Sequence, residues 1–406
     1  MSRDPEIRPA ESAEALQEAM AEGFGFDWTA DHVTHLARTL ELERTRCVFD
    51  GAQMVGTCGA HSLRLTVPGG SLPTGGTTFI TVRATHRRQG LLRAMMRAHL
   101  DDVREREEPL AVLWASESGI YGRFGYGSAA LAYRGRIERA HGAFARPVEA
   151  AGQLRQIDVE EARKLLPPIY ERVLPERPGH IARSEAWWES HLADPVWERD
   201  GASKFRYVLY EEAGEPRGFL QYRIQTRWHD SGVPNHILSV VELQSVDAVA
   251  RAALWRYALD VDLVGTVIAW NLPADDSLPW LLADARRYRP SWRDGLWLRL
   301  MDVPVALEGR RWETEGRIVF ALRDELCPWN EGTWELEAGP DGARCCPSQA
   351  EPELRLGAEE LGTVYLGGDR FAALAGAGRI EGSTDAIRRA DRLFRWHCAP
   401  WCPEVF

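Results

Sequence analysis

Apolar and polar positions switch between two periods along this chain, and the switching lays out most of its elements. Over 11–24, ESAEALQEAMAEGF, the apolar residues recur at helical spacing behind Ser12, a start signal with Glu14 close by. The stretch 46–70 reads as two strands around Asp50-Gly51, a pair favoured in hairpin turns. A β-branched strand is predicted over 77–82, then an amphipathic helix over 90–107 and a short apolar strand over 111–116. Between that strand and another over 129–140 lies GIYGRFGYG (119–127), where glycine and aromatic residues crowd together. A plain turn needs a single glycine.

The rhythm then repeats. Strand patterns at 236–246, 265–272 and 294–303 alternate with helical ones at 248–262 and 277–288, the order already met in the first 145 residues. This predicts a structural duplication. From about residue 304 the pattern changes to two strands within 316–339, joined by a turn at Trp329–Gly332, followed by helical stretches at 357–368, 369–380 and 383–396. Strands followed by helices predict a small α+β domain. Three domains are expected, over 1–145, 146–303 and 304–406. The chain closes on PWCPEVF, so apolar that the terminus is expected to be tied down.

Composition narrows the function classes. With 45% hydrophobic and 27% charged residues, the 406-residue chain is of ordinary globular type and long enough for two to four domains. A formal net charge of −11 disfavours a nucleic-acid partner and would draw cationic ligands. No apolar run of spanning length exists, so no membrane partner is expected. The N-terminus lacks a signal-peptide core, which predicts a cytoplasmic location. Seven scattered cysteines read as reduced thiols, and His397, Cys398 and Cys402 lack the second ligand pair a metal site needs, so no metal is expected.

The sharpest chemical signal is FITVRATHRRQGLLRAMM (79–96), a strand, a basic loop and a helix start. Unpaired N–H groups at a helix start carry partial positive charge and bind phosphate oxygens. Arg83, His86, Arg87, Arg88 and Arg93 add cations at an end where the helix dipole disfavours them. A bound anion resolves that conflict, so a phosphate or pyrophosphate ligand is expected here.

The order strand, Arg-x-x-Gly-x-Leu, helix resembles the acetyl-coenzyme A signature of the GCN5-related N-acetyltransferases (GNAT). Leu92 stands where that superfamily prefers a small residue, and Ala84 where it often has proline. THRRQGLLRAMM together with ASESGIYGRFGYG, RLTVPGG, CPWNEGTW, LGTVYLGG, RADRLF and the PEVF terminus resembles more narrowly the Eis (enhanced intracellular survival) family, known for acetylating aminoglycosides. The resemblance implies a mixed α+β chain of two tandem GNAT folds followed by a sterol-carrier-like domain. It implies one cofactor site, and the sequence agrees, since QSVDAVA, before the helix of the second repeat, offers neither arginine nor glycine.

The resemblance also implies roles. Arg87, Arg88, Gln89 and Gly90 would cradle the pyrophosphate of acetyl-CoA, with Leu91, Thr81 and Ser116 as further contacts and Ile80 and Val82 offering backbone groups at a bulged strand end. Tyr121 would protonate the departing sulfur, with Tyr126 as the packing partner and Gly119 and Gly122 giving room for the pantetheine arm. The α-carboxylate of Phe406 would act as base. Phe24, Asp27, Phe79 and Glu404 are expected on the acceptor side, whereas Trp187 and Trp188 read as core. The family further implies a homohexamer, a trimer of dimers. The expected activity is multiple acetylation of a cationic amine. Protein lysine acetylation, or lipid binding beside a vestigial acetyltransferase site, are the alternatives.

Overall fold

The computed structural model describes residues 6–406, which form two compact units. One comprises the chain up to Ala130, Asp294–Pro400 and Glu404–Phe406; the other comprises Leu131–Arg293 and Trp401–Pro403.

The first unit holds a seven-stranded sheet in the spatial order Glu6–Arg8, Cys47–Asp50, Gln53–Val67, Gly70–Val82, Leu110–Trp114, Leu296–Leu300 and Gly127–Ser128. Its centre is the long antiparallel hairpin of Gln53–Val67 with Gly70–Val82. Near the far end the register slips. Thr57 faces Thr81 and Gly59 faces Thr78, so Phe79 and Ile80 together stand opposite Cys58 alone. This is a β-bulge, and Phe79 takes a left-handed φ of 58° to make it. On its other side Gly70–Val82 pairs in parallel with Leu110–Trp114, but only across Thr74–Gly76, after which the two strands part.

The helix Ala13–Phe24 begins at Ser12, whose hydroxyl accepts the N–H of Ala15, as the sequence pattern predicts. The helix Leu91–Glu105 buries Met95, Met96, Leu100 and Val103 along one face, against Val48, Val55, Ala111 and Leu113 of the sheet.

Two strands change places relative to expectation. The strand expected to close the first domain, observed as Leu131–Glu138, pairs with Val264–Leu272 in the second unit's sheet. The strand at 294–303 is observed as Leu296–Leu300 and lies in the first sheet, between Leu110–Trp114 and Gly127–Ser128. A two-residue period shows that a segment pairs, not with what. The run Leu296–Leu300, apolar except for Arg299 and buried at every position, does mark an interior strand.

The second unit's sheet runs Ser291–Asp294, Leu131–Glu138, Val264–Leu272, His236–Ser245, Glu215–Gln225, Arg206–Glu212 and Gln153–Ile157. Its parallel pair His236–Ser245 and Val264–Leu272 is joined by the helix Ala248–Asp260, the duplicated motif the sequence predicts. The helix expected over 277–288 is broken into Leu278–Leu281 and a 3-10 turn at Ala285–Arg287. Trp188 is core, packed with Tyr170 and Leu192, while Trp187 is half-buried.

The third sheet, of five strands, belongs to the first unit and runs Gly342–Pro347, Gly332–Gly339, Gly316–Arg323, Leu354–Gly357 and Glu381–Gly382. The helices Ala358–Tyr365, Phe371–Gly376 and Thr384–Phe394 fall where the pattern predicts them; Gly342–Pro347 and Leu354–Gly357 were not legible as strands. Among the described residues no helix is long and apolar enough to cross a membrane, and no three metal-ligating side chains converge.

Candidate active site

The parting of Gly70–Val82 from Leu110–Trp114 opens a cleft, and a cavity of about 690 Å³ occupies it. One arm supplies Ile80, Thr81 and Val82; the other supplies Ser116, Glu117, Ile120 and Tyr121. The floor and rim come from the loop and helix start at His86–Arg88 and Gly90–Arg93, with Gly23 and Phe24 at one side. Gly23 has no room for a side chain, since a Cβ there would fall 2.1 Å from the Thr81 hydroxyl.

The phosphate end is built from backbone conformation. Arg88 and Gly90 both adopt left-handed φ, 63° and 82°, which turns the loop sharply into the helix Leu91–Glu105. That helix has no side-chain cap, so the N–H groups of its first turn are left for an outside acceptor. Arg87 is braced by its Nε, which donates to the Val82 carbonyl at 3.2 Å. Arg87, Arg88, Arg93 and Arg123 all line the cavity. Arg83 does not, being paired with Glu22. Gln89 also lies outside the lining, its amide turned back to the Thr85 carbonyl at 3.5 Å. A free helix start ringed by guanidinium groups suits a diphosphate.

Tyr121 ends the short helix Ser118–Tyr121 and is buried against Leu113, Phe124 and Tyr126. Burial pushes its phenol up to about 12, against a smaller downward pull from the Ser116 hydroxyl, so it stays protonated throughout the neutral range. Tyr126 is a different kind of residue. Its hydroxyl lies 2.9 Å from that of Thr77, which in turn meets His99 Nε2 at 2.7 Å, deep beneath the helix. It packs edge-on to Tyr121 and does not line the cavity.

Gly122 and Gly127 make room for packing, while a Cβ on Gly119 would meet nothing within 4 Å. Neither Gly119 nor Gly122 lines the cavity. A Cβ on Gly122 would strike the Glu359 carboxylate at 2.6 Å, and one on Gly127 would strike the Glu359 carbonyl at 2.1 Å. The stretch is thinned so that the helix Ala358–Tyr365 can lie directly on it. Arg299 completes the seat. Buried in Leu296–Leu300, it donates to the Phe124 carbonyl and makes a two-pronged pair with Asp324 at 2.5 and 2.6 Å.

Of the acceptor-side expectations, Phe24 lines the cavity, whereas Phe79, Asp27 and Glu404 do not; nor does Phe406, whose carboxylate was expected as base. Asp27 is exposed and Glu404 is buried. Phe79, at the bulge, packs on His61, and the ring of the terminal Phe406 meets the same imidazole. Phe79 is followed directly by Ile80, the first cavity residue on that arm.

Comparison with known proteins agrees with this fold. The family described as acetyltransferase (GNAT) domain matches residues 6–129, a second acetyltransferase (GNAT) domain family matches 179–300, and the sterol carrier protein domain matches 303–403. An uncharacterized N-acetyltransferase of Streptomyces avermitilis is 38% identical over the full length of both chains. N-acetyltransferase Eis of Mycobacterium tuberculosis is 36% identical, over 85% of this chain and 84% of its own. The crystal structure of Eis1 from Mycobacterium abscessus superposes with a TM-score of 0.85 at 32% identity, over 99% of this chain and 100% of that one. The chain belongs to the Eis family.

It is therefore an N-acetyltransferase of two GNAT folds and a sterol-carrier-like domain, and GNAT domains in general use acetyl-CoA. In this Eis-family chain the two repeats treat their helix starts oppositely. The second repeat's helix Ala248–Asp260 begins at Asp247, whose carboxylate accepts the Ala250 N–H and is itself held by Arg217. An internal carboxylate thus takes the place that Gly90 leaves open in the first. Arg299, Asp324 and His61 were missed by the sequence reading. A charged residue within the apolar run LWLRL was the available sign of the first.

Proposed function

We propose that this Eis-family enzyme transfers the acetyl group of acetyl-CoA to primary amines of cationic small molecules, aminoglycosides being the leading class. The observation that carries the reading is one cavity holding both an uncapped, arginine-ringed helix start and the buried phenol of Tyr121.

Bound acetyl-CoA would supply the thioester as acetyl donor. Arg87 and Arg88, with the N–H groups that follow Gly90, hold its diphosphate. The bulge at Phe79-Ile80 takes backbone out of ladder register at the cavity's edge, where its N–H groups would offer the thioester carbonyl an oxyanion-type contact. The Phe406 carboxylate takes a proton from the ammonium of the acceptor. As the new N–C bond forms and the C–S bond breaks, Tyr121 gives its phenolic proton to sulfur. It is reprotonated by the proton that the acylated nitrogen sheds, so amide and free thiol are the products. An acidic chain, with a net charge of −11, favours approach of a polycation.

The test is thiol release with an aminoglycoside, a simple diamine and a lysine peptide as acceptors. Tyr121→Phe is expected to lower kcat by about 10²- to 10⁴-fold while leaving acetyl-CoA affinity intact. One residue added after Phe406 displaces the carboxylate and should lower turnover sharply without loss of folding. Wild-type rates in Tyr121→Phe would remove the phenol from the reaction. A preference for the peptide over the aminoglycoside would reassign the acceptor.

A further inference from the structure

Near the middle of the strand Gln53–Val67 sits a histidine with an unusual set of neighbours. His61 is 2% exposed, and its ring is met edge-on from two directions. Phe79 of the bulge lies 5.4 Å away between ring centroids, at 77°, and the terminal Phe406 lies 6.4 Å away, at 82°. Both are favourable aromatic geometries. The imidazole cannot turn to suit them, because its Nδ1 lies 2.9 Å from the Thr39 carbonyl. A carbonyl has no hydrogen to give, so Nδ1 carries the proton and that hydrogen bond sets both the tautomer and the ring plane.

Such a residue is a costly way to fill a sheet. Burial lowers its pKa to about 4, with Arg44 acting in the same direction and the Thr39 carbonyl and Glu41 opposing. It is neutral at working pH, and the structure forgoes the proton its unfolded chain would bind in mild acid. An aliphatic residue would pack here without that cost, but it would give Phe406 neither an aromatic edge nor a fixed plane. Where Phe406 points depends in part on what its ring touches.

We infer that His61 is a positioning residue, seating the ring of Phe406 against the bulge at Phe79 and so fixing where the chain's terminal carboxylate points. The kinetic consequence rests on the reading above, in which that carboxylate takes the acceptor's proton; the seating itself does not.

The experiment has two arms. In the first, release of Phe406 by a carboxypeptidase specific for aromatic termini is followed by mass spectrometry on the wild type, His61→Gln and His61→Phe. His61→Gln keeps a donor for Thr39 and loses the ring, and release should quicken about tenfold, as expected when a seated end opens more often. His61→Phe keeps a flat ring and should hold release near the wild-type rate. In the second arm His61→Gln, Phe406→Leu and their combination are assayed with an amine acceptor. Each single change should lower kcat about 10- to 100-fold, the scale of a 1 Å misplacement, with the acetyl-CoA KM unmoved. The pair together should lose no more than the worse single, since both break one contact. Unchanged release in His61→Gln, or losses that multiply in full, would overturn the inference. Faster release with unchanged kcat would uphold the seating and reject the terminal carboxylate as base. Should His61→Gln fail to fold, Phe406→Leu removes the same ring contact from the other side, and release of the terminal leucine no faster than that of the wild-type phenylalanine, by a carboxypeptidase that takes both, would equally overturn it.

Discussion

A phenol is useful as a proton donor only while it holds its proton, and Tyr121 is placed to hold it. Burial raises its pKa to about 12, some way above the ordinary tyrosine value of about 10. The sign of the consequence is fixed. An acid required in its protonated form gives a falling limb as pH rises through its pKa, so here that limb lies beyond the alkaline range in which enzymes are normally assayed. The acceptor amine must be deprotonated, which gives a rising limb at lower pH. We therefore expect kcat/KM to climb from pH 7 and to show no fall up to about pH 10. A bell with a descending limb near pH 9 would place the essential acid on some less buried group. The stretch GIYGRFGYG, whose aromatic residues stand one per glycine interval, drew attention to Tyr121, and the structure places that phenol at the cavity. His61 was not legible, since a histidine within an alternating strand carries no mark of what will meet its ring.

At the scale of elements, the two glycine positions that look alike in sequence do different work, and substitution should separate them. Gly90 has a φ of 82°, and a Cβ there would meet nothing within 4 Å. Alanine at this position meets only the left-handed penalty of about 1–2 kcal/mol, and it places a methyl group where the diphosphate approaches. Gly127 lies outside the left-handed region, but a Cβ would fall 2.1 Å from one backbone atom and 2.4 Å from another on the helix Ala358–Tyr365. Backbone cannot step aside as a side chain can. Gly90→Ala should raise the acetyl-CoA KM about tenfold with a Tm loss no larger than that penalty implies, and Gly127→Ala should lower Tm more, at or beyond the upper end of the about 1–3 kcal/mol of overpacking. Equal effects on Tm, read by calorimetry, would contradict the assignment. The turn and open helix start at Gly90 could be read from sequence because they are local, a loop followed by a helix. The crowding of Gly122 and Gly127 could not, because the helix that presses on them comes from far along the chain. The exchange of Leu131–Glu138 and Leu296–Leu300 escaped notice for the same reason: period identifies a strand, and only long-range pairing chooses its sheet.

Over the whole molecule the duplication poses a question of number, since two GNAT folds offer two clefts. Local chemistry decides between them. The first repeat's helix start is uncapped and ringed by Arg87, Arg88 and Arg93. The second repeat's start is filled by the Asp247 carboxylate, which holds the Ala250 N–H at 2.8 Å and would repel a diphosphate. Its parallel strands are last paired at Val240 and Ala269, and just beyond, Asn271 binds the chain's own tail. The Asn271 amide donates to the Cys402 carbonyl at 2.9 Å and accepts from the Trp401 indole at 2.8 Å. A helix start neutralised from within, beside strand ends bonded to protein, argues against a second acetyl-CoA site. Calorimetric titration should therefore give one acetyl-CoA per chain. Replacing both Arg87 and Arg88 with alanine should weaken binding about 100-fold or more, at about 1.5–3 kcal/mol for each charged hydrogen bond lost, and should leave no second, unaffected phase. A stoichiometry of two, or a binding phase that survives the double substitution, would mean that the second repeat retains a cofactor site despite its capped helix.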